Sequence, residues 1–363
     1  GEYKDLLPMW VADMDFQAAP AILEALTSRI RHGIFGYSRI AEPVYEAYQQ
    51  WVLKRQHVAL PAEWMLYTQG VLAALATAVQ TLSAPGDRVI IQPPVYYPFE
   101  SLIRHNGREV LENPLIERNG RWLIDLDHLE TVASEGARVL LLCSPHNPVG
   151  RVWTRTELDG VLKICQRHSI TVISDEIHSD IIMPGHEHCP LFALSEGSGV
   201  DVVVLTSPTK TFNLAGVPMA WMIAPRAETR AALNRALVAA HAGSANLLSV
   251  LAAETAYRDC ADWLDELIRY LMTNRTALEE GLSGVVPGLR IAPLQGTYLA
   301  WLDFRQVAVD ARGLNRRLLE EAELRLNDGA MFGTGGDGFQ RLNLAAPRSL
   351  LLEAVDRIRR VFS

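Results

Sequence analysis

No run of 18 apolar residues occurs in the sequence, so no segment reads as a membrane-spanning helix. No basic stripe occurs either. Asp and Glu number 42 against 34 Lys and Arg, a net charge of −8, which argues against nucleic acid and anionic membrane as partners. Cysteine is scarce. Cys143, Cys165, Cys189 and Cys260 are scattered, with no CxxC or CxxH pair. Neither a metal site nor a disulfide framework is therefore expected, and a reducing cytoplasm fits. Repeats and low-complexity tracts are missing. The first residues, Gly1 to Asp5, do not resemble a secretory signal. An apolar segment follows almost at once, so part of the native N-terminus is expected to lie outside this sequence.

What is present is an ordinary globular composition, 49% apolar and 21% charged. A length of 363 residues argues for one large unit plus a smaller one. Residues 1–20 read as an arm packing with the small unit, with Trp10-Val11-Ala12-Asp13-Met14-Asp15-Phe16 at its centre. Residues 21–265 read as the large, ligand-binding unit, and 266–363 as a smaller α+β unit.

Within the large unit, apolar strands alternate with helices. Strands are expected at Met65–Thr68, Val89–Ile91, Glu109–Asn113, Val139–Cys143, Ile170–Ser174, Val202–Thr206 and Ala220–Ile223. Thr154 and Glu157 have the spacing of a capping box for a helix reaching His168. Two long helical segments, Glu228–Arg258 and Trp263–Gly281, follow. Continuous apolar strands alternating with helices imply an α/β fold, a mostly parallel sheet sandwiched by helices. Ligands then collect at the carboxyl ends of strands. Gly70, Tyr96, Asn147, Asp175 and Lys210 all stand just after strands.

Lys210 follows a buried run, where desolvation disfavours the ammonium and leaves a usable amine. Asp175, equally buried, needs a cationic partner such as a protonated pyridine nitrogen. Ser207 and the Gly70–Val71 amides at a helix N-terminus suit a phosphate. Tyr96 can lie flat on an aromatic ring, and Asn147 can donate to a ring hydroxyl. Together these counterparts describe pyridoxal 5′-phosphate.

Several stretches carry a family resemblance. They are Pro8 to Phe16, Phe35 to Arg39, Pro94 to Phe99, Cys143 to Pro148, Ser174 to His178, Lys210 to Asn213, Gly296 to Trp301 and Arg341 to Asn343. With them the chain resembles fold-type I pyridoxal-phosphate enzymes, the aspartate-aminotransferase-like superfamily. It looks most similar to the MalY/PatB group of cystathionine β-lyases, also called cysteine-S-conjugate β-lyases. The resemblance implies the pyridoxal-phosphate-dependent transferase fold, with Lys210 anchoring the cofactor covalently. It further implies Asp175 at the pyridine nitrogen, Asn147 at the 3′-oxygen with His178 nearby, and Tyr96 stacked on the ring. Ser207 and the Gly70–Val71 amides would take the phosphate, and Arg341 the substrate α-carboxylate. Tyr37 would reach the phosphate of a neighbouring subunit, making the active unit a homodimer. Lys210 and Tyr96 are the catalytic candidates.

Two positions depart from many aminotransferases of the superfamily. His178 replaces a tyrosine, as in the MalY/PatB group, and Pro218 replaces a phosphate-binding arginine. The implied activity is β-elimination of a cysteine thioether to thiol, pyruvate and ammonia. An aminotransferase is the alternative, and a catalytically idle regulatory dimer the third reading. The arm around residues 8–20 is expected to read the distal group of the substrate.

Overall fold

A computed structural model describes residues 6–307 and 311–363. The apolar runs form a seven-stranded sheet. Its strands are β1 (Met65–Thr68), β2 (Arg88–Ile91), β3 (Glu109–Glu112), β4 (Ala137–Cys143), β5 (Thr171–Asp175), β6 (Val202–Thr206) and β7 (Ala220–Ile223). Their spatial order is β1-β7-β6-β5-β4-β2-β3. Neighbours from β3 through β6 pair in parallel.

Successive side chains of a strand point to opposite faces, and the two cores follow that alternation. Val202, Val204, Leu140, Leu142 and Val172 join one core. Val203, Leu205, Val139, Leu141 and Ile173 join the other. Helix Val71–Leu82 covers the second face through Ala74, Leu75, Ala78 and Val79. Helix Arg155–Arg167 covers the first through Leu158, Val161 and Leu162. Thr154 and Glu157 close the expected capping box at its start.

β7 runs antiparallel to both β6 and β1. β1 therefore points the same way as β6, and its carboxyl end falls on the same sheet edge as those of β4, β5 and β6. This single reversal brings Gly70 alongside Asn147, Asp175 and Lys210.

A second, four-stranded antiparallel sheet contains β8 (Arg290–Ile291), β9 (Leu299–Asp303), β10 (Asn327–Asp328) and β11 (Phe339–Asn343), in the order β8-β9-β11-β10. The expected helix Glu228–Arg258 is broken. Helices Ala227–Ala239 and Leu247–Asp259 are separate, with His241 at positive φ and Asn246 capping the second through Leu248 and Ser249 N–H. Gly243, Ser244 and the capping Asn246 are the sequence marks of this break. Helix Ala261–Leu282 runs unbroken through residue 265. The hairpin Ile116–Arg118 with Arg121–Leu123 has no counterpart in the expected elements.

The N-terminal segment pairs in parallel through Leu7 and Pro8 with Leu324 and Arg325. Beyond Met9 it has no strand partner, so its backbone groups need other partners. Side chains supply them. Asn343 Nδ2 donates to Val11 O at 2.8 Å and Asp13 O at 2.6 Å. Tyr298 OH donates to Ala12 O at 2.9 Å. Asn213 accepts from Met14 N at 3.0 Å and donates to Met14 O and Phe16 O, both at 2.8 Å. Asn213 itself has φ 55°, a conformation asparagine tolerates better than most residues.

Asn213→Ala should strand the Met14 and Phe16 groups and strain the left-handed backbone. We expect a loss of about 2–3 kcal/mol in denaturant unfolding and faster hydrogen exchange confined first to residues 10–16. Unchanged exchange in that segment would contradict this account of the arm.

Candidate active site

The carboxyl edge of the large sheet borders a cavity of about 480 Å³. Gly70, Val71, Tyr96, Asn147, Asp175, His178, Lys210 and Arg341 all line it. Of the expected site residues, Ser207 and Tyr37 do not.

Asp175 is the last residue of β5, and its side chain is buried. Its Oδ1 accepts from Ile177 N at 3.2 Å. Burial outweighs that bond and the nearby Lys210, raising the carboxyl to about 7. A carboxylate in this position is short of a cation.

Lys210 lies in the short helix Pro208–Thr211, directly after β6. Burial, then the Arg341 charge, lower its ammonium from the ordinary value. Its Nζ donates to the arm carbonyl of Ala12.

Arg341 stands in the middle of β11, opposite Trp301 of β9 and Asn327 of β10. Its hydrogen-bond partners are neutral oxygens. Nη1 donates to Asn147 Oδ1 at 3.0 Å, and Nη2 to Trp10 O at 2.9 Å and Asn327 Oδ1 at 2.5 Å. Nε is buried without a partner. Burial brings the guanidinium down to about 10, still charged at neutral pH. A buried cation held by amides and carbonyls leaves a demand for an anion.

His178 is buried, its Nδ1 has no partner, and its ring meets Tyr298 edge-on at 5.7 Å. Burial, then Lys210 and Arg341, push it to about 3, so it is a neutral imidazole. Burial, then Asp175, raise Tyr96 to about 12, so the phenol keeps its proton. Gly70 has φ 130°, which an L side chain rarely adopts, and leads straight into helix Val71–Leu82.

Ser207 turns away from the cavity. Its hydroxyl donates to Met219 O at 2.5 Å and caps the Lys210 helix through Thr209 N. Thr209, two residues on, lines the cavity instead. Tyr37 is fully exposed, in a loop with Ile34 and Phe35 also exposed. It lies beside a different surface cleft, with Ser38 and Tyr67. His146, given no role from sequence, donates its Nε2–H to Pro94 O at 2.8 Å and packs edge-on against Trp153. Burial lowers it to about 4, so it is neutral, and the bond to Pro94 O is a donation.

Asn327 and Thr209 were not expected among the site residues, and nothing local in the sequence shows that the Asn327 amide meets Arg341. The arm was expected at the substrate, and Trp10-Val11-Ala12 forms a wall of the cavity.

The Asp175 shift has a stability consequence. Unfolded, the carboxyl ionises near pH 4; folded, near 7. Its contribution is therefore complete below about pH 4 and is lost as pH rises through about 7. The thermal midpoint of the ligand-free protein should fall, relative to that of Asp175→Asn, between roughly pH 4 and 7. Parallel profiles for the two proteins would contradict a burial-raised carboxyl.

The profile of the family described as "Aminotransferase class I and II" matches residues 4–358. The chain is 40% identical over 360 residues to cystathionine beta-lyase PatB of Bacillus subtilis (strain 168), covering 99% of this chain and 93% of PatB. It is 36% identical to protein MalY of Escherichia coli (strain K12), covering 97% and 90%. Among solved structures, cystalysin from Treponema denticola, which contains a pyridoxal 5′-phosphate cofactor, superposes with a TM-score of 0.95 at 34% identity, covering 99% of this chain and 91% of that one. The chain belongs to the aminotransferase class I and II family.

Proposed function

We propose that this protein binds pyridoxal 5′-phosphate and eliminates the β-substituent of a cysteine thioether, releasing a thiol, pyruvate and ammonia. One observation carries the reading: Asp175 and Arg341 are buried with neutral hydrogen-bond partners in one cavity that an amine of lowered basicity also lines. PatB bears the name of a cystathionine β-lyase, and cystalysin contains the cofactor, which supports the same reading.

The residues fit the cofactor. Asp175 supplies the anion a pyridinium nitrogen requires, and the pyridinium supplies the missing cation. Asn147 gives its Oδ1 to Arg341, leaving its amide N–H for the 3′-oxygen, and His178 stands nearby with a free Nδ1. Tyr96 lies along the cavity as a stacking partner. The Gly70–Val71 amides, with Thr209, suit the phosphate. Ser207 holds the Lys210 helix in place by its cap and acts on the phosphate through Thr209. Lys210 is the covalent anchor.

When bound, the cofactor supplies an electron sink for the carbanion at Cα. Arg341 takes the α-carboxylate as a two-pronged donor. That fixes the Cα–H bond, and Lys210, its basicity lowered by burial, removes the proton. Asp175 keeps the ring nitrogen protonated. The Cβ–S bond breaks with its electron pair on sulfur, and a protonated group such as the Tyr96 phenol lies within the cavity to neutralise the thiolate. Water then completes the balance: thioether plus water gives thiol, pyruvate and ammonium.

We place the working unit as a cytoplasmic homodimer. Exposed Ile34, Phe35 and Tyr37 suit burial against a second copy, whose own cavity would receive Tyr37. The domain division at about residue 265, with the arm of residues 1–20 belonging to the smaller unit, is part of the same proposal. The arm's pairing with Leu324–Arg325 supports it.

The purified protein should release pyruvate and thiol from a cysteine thioether with no keto acid present. Product that forms only when a keto acid is added would instead establish the aminotransferase alternative. Lys210→Ala should abolish turnover. Arg341→Ala should lower kcat/KM by roughly a hundredfold or more, through loss of a buried charge contact.

A further inference from the structure

We infer that Asn327 is a positioning residue for Arg341, and that its being an amide rather than a carboxylate keeps this guanidinium open to an α-carboxylate. The inference rests on the assignment of Arg341 to the substrate carboxylate above.

A guanidinium is planar, and its grip on a carboxylate depends on where that plane lies and how it is turned. Phe332 covers one face of it, with Arg341 Cζ 5.0 Å from the ring centroid. Two side-chain amides fix the turn. Asn147, from the large sheet's edge, accepts from Nη1 at 3.0 Å, and Asn327, from the small sheet, accepts from Nη2 at 2.5 Å. The third acceptor, Trp10 O, belongs to the arm, which is tied by side chains rather than by a strand at that point. Asn327 is thus the anchor of Nη2 that belongs to the same sheet as Arg341.

The strand that carries Asn327 is only two residues long, yet it is firmly held. Asn327 is buried and pairs directly with Arg341 across β10 and β11. The next side chain, Asp328, accepts from Asn315 Nδ2, and Asn315 Oδ1 accepts in turn from Gln340 Nε2 at 2.9 Å. Gly329 follows, where a Cβ would collide with the carbonyl oxygens of Gly336 and Phe339. Only glycine lets the chain turn so closely there. The sequence Asn327-Asp328-Gly329 therefore aims one amide at one guanidinium.

An aspartate at 327 would fill the same volume and accept the same hydrogen bond. It would also be a permanent counter-ion, whereas the acceptors Arg341 has are neutral. A substrate carboxylate would then lose water to meet a cation already paired, and a second anion close by would repel it. The amide orients the guanidinium and leaves its charge unspent.

The test is a spectroscopic titration of the cofactor-loaded protein with L-alanine and with ethylamine, which is alanine without its carboxylate. Neither carries a β-leaving group, so binding is read without elimination. The native protein should prefer alanine by roughly a hundredfold. Asn327→Ala, which frees the guanidinium to turn, should lower that preference by roughly tenfold. Asn327→Asp should bring it close to parity, with ethylamine binding at the native level and a thermal midpoint above the native one, because Arg341 gains a partner. A preference unmoved by Asn327→Asp would overturn the inference. So would a parallel weakening of alanine and ethylamine in Asn327→Ala, the mark of a merely structural role. Equal binding of the two by the native protein would take the carboxylate away from Arg341 and overturn the inference with it. Pyruvate release from a cysteine thioether, measured separately, decides the lyase reading, and the titration stands whichever way that falls.

Discussion

Burial of charge without a counter-ion is the constraint on which this site depends. Asp175 is raised to about 7 and Arg341 lowered to about 10, each chiefly by loss of water. A protein interior ordinarily pairs such groups with each other. Here they are kept apart, across the boundary between two sheets, and each is held by neutral donors or acceptors. On the proposed reading, the cofactor brings the cation that Asp175 lacks and the substrate brings the anion that Arg341 lacks. Lys210 stands in the same field, and the Arg341 charge adds to its loss of basicity. The burial that disfavours these charges also lowers the basicity of the amine.

The arm makes that separation workable. Trp10 O is an acceptor for Arg341 and Ala12 O for Lys210. The same stretch is tied by Asn343 and Tyr298 from the small sheet and by Asn213 from the Lys210 loop. A short length of backbone with no strand partner is thus held by side chains from both halves of the chain. It carries geometry between Lys210 and Arg341, which are 131 positions apart in sequence and share no strand pairing. It also forms part of the cavity mouth, where Val11 is exposed. Arm position, amine position and carboxylate grip are therefore coupled through ordinary hydrogen bonds.

Much of this was legible in the residues. The runs Val202–Thr206 and Ala220–Ile223 are strands with the expected bounds, because unbroken apolar, β-branched segments have few alternatives in an α/β chain. The strand-end rule placed Asn147, Asp175 and Lys210 around one cavity, and the capping box fixed the start of helix Arg155–Arg167. What local pattern could not convey were contacts made at long range. Asn327 carries no local signal of a site residue, and the pairing of β10 with β11 brings it to Arg341. Ser207 was read as a phosphate donor, and no local pattern foretold the bond its hydroxyl makes to the Met219 carbonyl. The break between Ala239 and Leu247 was legible in Gly243, Ser244 and the capping Asn246, but was read through as one long helix.

The central claim is that the mismatched charges at the sheet edge hold pyridoxal 5′-phosphate with its aldehyde carbon on Lys210. The most direct measurement is borohydride reduction of the purified, cofactor-loaded protein followed by peptide mass mapping. The account predicts a stable phosphopyridoxyl adduct on the peptide containing Lys210, and its absence from that peptide when Asp175 is replaced by Ala and cofactor retention is lost. No adduct in the native protein, or an adduct on Lys54 or Lys163 in place of Lys210, would contradict it.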